Sequence, residues 1–118
     1  MSEVAPRIPD YLNHILEAIG RIRDYTADLD EAKFLGARMV QDAVIRNFEI
    51  IGEASRNIER ESGEFVLKHS AVPWALIYAM RNRFAHGYFS VDLTIVWRTI
   101  QSDLPDLHKK IQTIRDSL

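Results

Sequence analysis

Arg38-Met39-Val40-Gln41-Asp42-Ala43-Val44-Ile45-Arg46-Asn47-Phe48-Glu49-Ile50-Ile51-Gly52-Glu53-Ala54 is the stretch on which the fold turns. It sits inside a longer segment, from about Glu31 to Arg60, that holds no proline. Phe34, Met39, Val40, Val44, Phe48, Ile51, Ala54 and Ile58 recur there at helical spacing. A second ridge of Ala37, Ala43, Ile45 and Ile50 makes the middle of the segment apolar nearly all round. A helix of that kind is central in a bundle or shared with another subunit. Asp30 is placed to cap its start. Gly52-Glu53-Ala54-Ser55 offers small side chains that permit close approach of a neighbour. Asp42 and Arg46, four apart, can pair on one face, with Asn47 and Glu49 adding polar groups beside the ridge.

The flanks read the same way. Before the central segment, Pro9-Asp10 opens a helix. Its stripe is Tyr11, Ile15, Ile19, Ile22 and Tyr25 or Thr26, widened by Leu12, Leu16 and Leu29. Glu17, Arg21, Asp24 and His14 lie off that stripe and face water. After the central segment, Ser62-Gly63 ends the helix, and a short amphipathic piece from Glu64 to Lys68 follows. His69 precedes a loop, and Pro73 starts a helix that carries Trp74, Ile77, Tyr78 and Met80 inward. Asp92 caps a last helical region with Leu93, Val96, Trp97, Ile100, Leu104, Leu107, Ile111, Ile114 and Leu118 on its stripe. Pro105 kinks or breaks that region. His108-Lys109-Lys110 reads as a solvated face. The expected architecture is an all-α, antiparallel bundle of four to five helices in one domain, residues 1–118.

Composition limits what such a bundle does. Its 118 residues hold one core. A net charge of -2 argues against coating nucleic acid through bulk positive charge, so any such contact needs a local basic cleft. Cysteine is absent, which removes disulfides and thiolate zinc sites. The N-terminus has no apolar signal core, and no run reaches membrane-spanning length. The expectation is a soluble cytoplasmic protein.

Chemistry concentrates in Arg81-Asn82-Arg83-Phe84-Ala85-His86-Gly87-Tyr88, directly after the apolar run Trp74 to Met80. Arg brings permanent charge and a planar fork for phosphate, and His a proton that moves near neutral pH. Along an ideal helix Asn82 and His86 share a face while Arg81 points elsewhere. A helix ending near Ala85, with Gly87 left-handed, would let the polar groups converge. Metal-free RNA cleavage needs a base for the 2′-hydroxyl, an acid for the 5′-oxygen and positive charge for the phosphorane. Arg81 can supply the charge and His86 one proton transfer. A two-fold dimer would bring a second copy of each. The bland alternative is an Arg81 ion pair within the bundle and a His86 that caps helix carbonyls. The four histidines lack metal-ligand spacing and no carboxylate adjoins His86, so neither metal nor other cofactor is expected.

The stretch RNRFAHGY resembles the Arg, four residues, His, one residue, Tyr signature of HepT-like proteins, a branch of the HEPN superfamily. Gln41 to Ala54 resembles that family's second-helix signature, and Val72 to Asn82 its lead into the motif. Val91-Asp92 to Val96-Trp97 and Leu104-Pro105 match in kind and order. The resemblance implies an all-α HEPN bundle, dimeric through the motif, that acts as the ribonuclease toxin of a type VII toxin–antitoxin module. It implies Arg81 and His86 as the catalytic pair and Asn82 as the polar residue that follows the Arg, with Arg83 beside them for RNA phosphate. Tyr88 falls where an MntA-type minimal nucleotidyltransferase antitoxin attaches AMP. A phosphodiester there would set a negative charge beside Arg81 and block the site. The competing expectation is a non-catalytic HEPN subunit that binds a nucleotidyltransferase or a nucleotide.

Overall fold

A computed structural model of the chain describes residues 6–79 and 92–118. Every regular element among the described residues is a helix. They are α1 (Ile8–Thr26), α2 (Glu31–Leu35), α3 (Arg38–Glu61), α4 (Gly63–Lys68), a helical segment α5 over residues 74–79, α6 (Leu93–Ser102) and α7 (Leu104–Asp116). The all-α bundle expected from the sequence is therefore the fold, with α1, α3 and the α6–α7 pair as its long members.

α1 lies at the centre, between α3 and α7. It turns Ile8, Leu12, Ile15, Ala18, Ile19 and Ile22 fully inward, and each isoleucine buried in this way contributes about 1.5–3 kcal/mol relative to exposure. Arg21 of α1 meets Asn47 of α3 at 3.3 Å, and Arg7, just before α1, faces Glu61 at the far end of α3. The two helices are therefore antiparallel. Asn13, near the start of α1, accepts from Nε of Arg115 at the end of α7, 2.9 Å away. Pro105 and His108, at the start of α7, lie by Gly20 and Arg23 in the second half of α1, so this pair is antiparallel too. The tyrosine-or-threonine alternative at the end of the α1 stripe resolves to Thr26, which is buried, whereas Tyr25 is 42% exposed.

The single helix expected from Glu31 to Arg60 is two. Asp30 does cap the first, its carboxylate accepting from the Lys33 N–H at 2.8 Å. That helix stops at Gly36, and the buried Gln41 amide donates to the carbonyls of Phe34 at 2.9 Å and Leu35 at 3.0 Å. A helix end leaves its last carbonyls short of intrahelical donors, and the Phe34 carbonyl here also accepts from the Ala37 N–H at 3.1 Å. The break lets Phe34 turn inward onto the Trp97 ring of α6, with centroids 5.3 Å apart, and Phe34 is fully buried. Met39, expected on the apolar stripe, is 87% exposed, because it stands five residues before the buried Val44 and so about 140° round α3 from the inward face. Ser62 closes α3 and caps α4, its hydroxyl accepting from the Phe65 N–H at 3.2 Å. At the other end of the chain Asp103 separates α6 from α7, and Pro105 occupies the first turn of α7, where a missing N–H costs no helical hydrogen bond. The expected disruption near Pro105 is thus a full break. Leu118, at the end of the expected stripe, is 45% exposed.

Candidate active site

Arg81, Asn82, Arg83, His86 and Tyr88 all lie outside the described residues. The two elements that lead into and out of the stretch 80–91 are described, and both are tied to the core.

On the entry side the chain is pinned before α5 begins. Val72, Trp74 and Ile77 are buried. The Trp74 indole N–H donates to the His69 carbonyl at 3.0 Å, and the Ile77 N–H donates to the Pro73 carbonyl at 3.1 Å. Pro73 thus stands where a helix start needs no N–H. One turn before Arg81 in sequence, Tyr78 reaches α3. Its hydroxyl donates to the Ser55 carbonyl at 3.5 Å, and the Arg56 guanidinium lies 4.5 Å over its ring. Arg56 also pairs with Glu59 at 3.4 Å. Burial, with Glu59 adding to it and Arg56 opposing it, pushes the Tyr78 phenol up to about 12. On the exit side Asp92 caps α6 by accepting from the N–H groups of Thr94 at 2.9 Å and Ile95 at 3.4 Å. Val96 and Ile100 then bury.

The polar groups expected beside the α3 ridge divide into surface and interior. Arg46 pairs with Glu49 at 3.5 Å, while Asp42 lies 4.0 Å from Arg38, in place of the Asp42–Arg46 pair that their spacing allowed. Asn47 is buried. Its amide donates to the Ala43 carbonyl at 2.8 Å and accepts from Arg21, which also holds Glu17 at 3.5 Å. It joins α1 to α3 inside the bundle. The Arg56, Glu59 and Tyr78 cluster is not legible in the sequence, where helical spacing turns Tyr78 inward but gives Arg56 no part. Nothing local links positions so far apart in the chain. Among the described residues no three His, Cys, Asp or Glu side chains gather closely enough to hold a metal ion.

The frame can fix both ends of a polar stretch against one core, which suits a site that must hold charge and proton donors in a set geometry. Residues 15–114 match the model of the family described as HepT-like, ribonuclease HepT-like. The chain is 41% identical over 106 residues to a protein of Thermococcus cleftensis named "Probable ribonuclease HepT", covering 90% of this chain and 94% of that one. It is 36% identical over 104 residues to a "Putative RNase" of Methanocaldococcus jannaschii, covering 88% of this chain and 93% of that one. A longer protein of the same archaeon, named "Gamma-glutamylcyclotransferase and putative RNase", is 43% identical over 108 residues. That match covers 92% of this chain and 47% of the relative, so the chain spans about half of that protein's length. No solved structure gives a significant match. With the family match running over most of its length and relatives of this similarity aligned nearly end to end, the chain belongs to the HepT-like ribonuclease family.

Proposed function

We propose that the chain is a metal-independent endoribonuclease, a single domain over residues 1–118, and the toxin of a type VII toxin–antitoxin pair. The observation that carries this reading is the unbroken Arg-x4-His-x-Tyr pattern of Arg81, His86 and Tyr88 inside a family match that spans residues 15–114. His86 of one copy takes the proton of the RNA 2′-hydroxyl as its oxygen attacks the adjacent phosphorus. His86 of the second copy in a homodimer protonates the departing 5′-oxygen. The products are a 2′,3′-cyclic phosphate and a 5′-hydroxyl end, with no water or metal consumed. Arg81 stabilises the charge that builds on the phosphorane oxygens, with Asn82 and Arg83 holding RNA phosphate nearby. One histidine cannot serve both ends of the same step, which is the chemical reason for two copies.

Tyr88 is the off-switch in this reading. A cognate minimal nucleotidyltransferase transfers AMP from ATP to its hydroxyl, releasing pyrophosphate and leaving a phosphodiester beside Arg81. The protein acts in the cytoplasm. No helix among the described residues is long and apolar enough to cross a membrane.

The test is cleavage of RNA by purified protein free of AMP, with chelator present. Cleavage that disappears in both Arg81→Ala and His86→Ala, while the fold persists, is the expected result. Full cleavage by either variant overturns the mechanism.

A further inference from the structure

Lys68 and His69 close α4, and Lys109, Lys110 and Thr113 lie on α7, far along the chain. The fold brings the two stretches together around a cleft of about 490 Å³ that Ser70 also lines. Three of the chain's four lysines line this one cleft, and among the described residues no carboxylate does. Lys68 and Lys109 are exposed; Lys110 is half-buried and also holds Asp106 at 2.8 Å. The His69 ring sits 4.4 Å from that of Phe65, and burial together with Lys68 holds its imidazole below the ordinary histidine range. It therefore adds a neutral hydrogen-bonding edge at neutral pH, and the lysines carry the charge. In a chain of net charge -2, this is a local concentration of cations.

We propose that this cleft is a second anionic-ligand site, on residues separate from Arg81–Tyr88, that holds the phosphodiester backbone of single-stranded RNA. The proposal rests on the ribonuclease reading above, which makes RNA the polyanion the protein must hold. Lysines on flexible stems act as point charges without the paired-donor geometry of arginine, so they suit a backbone that is tracked more than a single anion that is clamped. The charge comes from two segments far apart in the chain, the end of α4 and the middle of α7, so it is spread over the cleft and suits a strand with several phosphates. Such contacts position the ligand and carry no base sequence.

The experiment is binding of a single-stranded 2′-O-methyl RNA, which cannot be cut through its 2′-oxygen, followed by fluorescence anisotropy across a salt series. The cleft variant combines Lys68→Gln, Lys109→Gln and Lys110→Gln. A charge-matched control combines Lys33→Gln, Arg38→Gln and Arg60→Gln, all exposed and outside the cleft. Each phosphate contact contributes about 0.7 to the salt slope for a single strand, so the cleft variant is expected to lose about 2 from that slope and to bind about tenfold more weakly at low salt, while the control binds like wild type. If the triple variant loses its helical circular dichroism, Lys109→Gln alone is read instead, with a slope change of about 0.7. Equal losses in cleft variant and control overturn the proposal, since bulk charge then explains the binding. Unchanged binding by the cleft variant, with wild type still cleaving ordinary RNA, overturns the cleft and leaves the ribonuclease reading standing. A wild type that neither binds nor cleaves RNA overturns both.

Discussion

The Arg56 guanidinium lies 4.5 Å over the ring of Tyr78, whose hydroxyl donates to the carbonyl of the neighbouring Ser55 at 3.5 Å. Two residues of α3 thus hold the last turn of described chain before Arg81. The hydrogen bond is long and adds little, so the ring contact is the larger part of the link. Arg56→Ala is expected to lower stability by about 0.5–1 kcal/mol through the lost cation–π contact, read from urea unfolding. Tyr78→Phe, which keeps the ring, is expected to stay close to wild type. A larger loss from the Phe variant than from the Ala variant would show that the hydroxyl carries the link.

The same tyrosine sets a pH dependence. Its phenol is raised from 10.0 to about 12 in the folded chain, with burial the first cause. The unfolded chain therefore gives up this proton about two units earlier than the folded one. The stability it contributes is whole below pH 10 and is lost as pH rises towards 12. Melting midpoints measured from pH 9 upward are expected to fall more steeply in wild type than in Tyr78→Phe, with the two converging below about pH 10. Parallel curves would place the phenol at its ordinary value.

Gln41 makes a sharper case, because its amide donates to two successive backbone carbonyls at the end of α2. Gln41→Met preserves the volume and removes both hydrogen bonds in a buried place. The expected cost is about 1–3 kcal/mol, chiefly from the Leu35 carbonyl, since the Phe34 carbonyl still accepts from the Ala37 N–H at 3.1 Å. Phe34→Ala removes the ring those carbonyls help to aim at Trp97, and from a fully buried site it is expected to cost about 3–5 kcal/mol. Both are read from the midpoint of urea unfolding. If Gln41→Met were neutral, the α2–α3 corner would be held by packing alone.

That corner also marks how far the sequence could be read. The stripes of α1, α6 and α7 follow directly from isoleucine and leucine at three- and four-residue steps; Asp30, Pro73 and Asp92 mark helix starts by their own chemistry, and Pro105 marks an interruption. Local pattern was blind to the break at Gly36. One glycine costs a helix only about 1 kcal/mol, and burying Phe34 against Trp97 outweighs that. Both that contact and the Gln41 bonds exist only once the bundle has formed. Met39 differs for a plainer reason: it is five residues from Val44, out of phase with the Val44, Phe48, Ile51 and Ile58 stripe that α3 does bury. Likewise Lys109 reads as part of a solvated face and Lys68 as the end of a short amphipathic piece, and only the packed chain puts them in one cleft. The Arg81–Tyr88 motif stands the other way round: it was legible as a pattern, and its geometry lies outside the described residues.

The switch proposed at Tyr88 can be tested apart from cleavage. Chain produced together with an active cognate nucleotidyltransferase is expected to gain mass by one or more AMP units, and Tyr88→Phe to gain none. Because an adenylyl phosphodiester adds negative charge next to Arg81, the modified protein is expected to lose RNA cleavage, and removal of the AMP to restore it. Tyr88→Phe should then cleave RNA with or without the partner, since the hydroxyl takes the AMP but has no part in the proton transfers assigned to His86. An inactive Tyr88→Phe protein that keeps its fold would instead place the phenol in the cleavage step. An unmodified wild type in the presence of active partner would remove Tyr88 as the switch while leaving Arg81 and His86 as the catalytic pair.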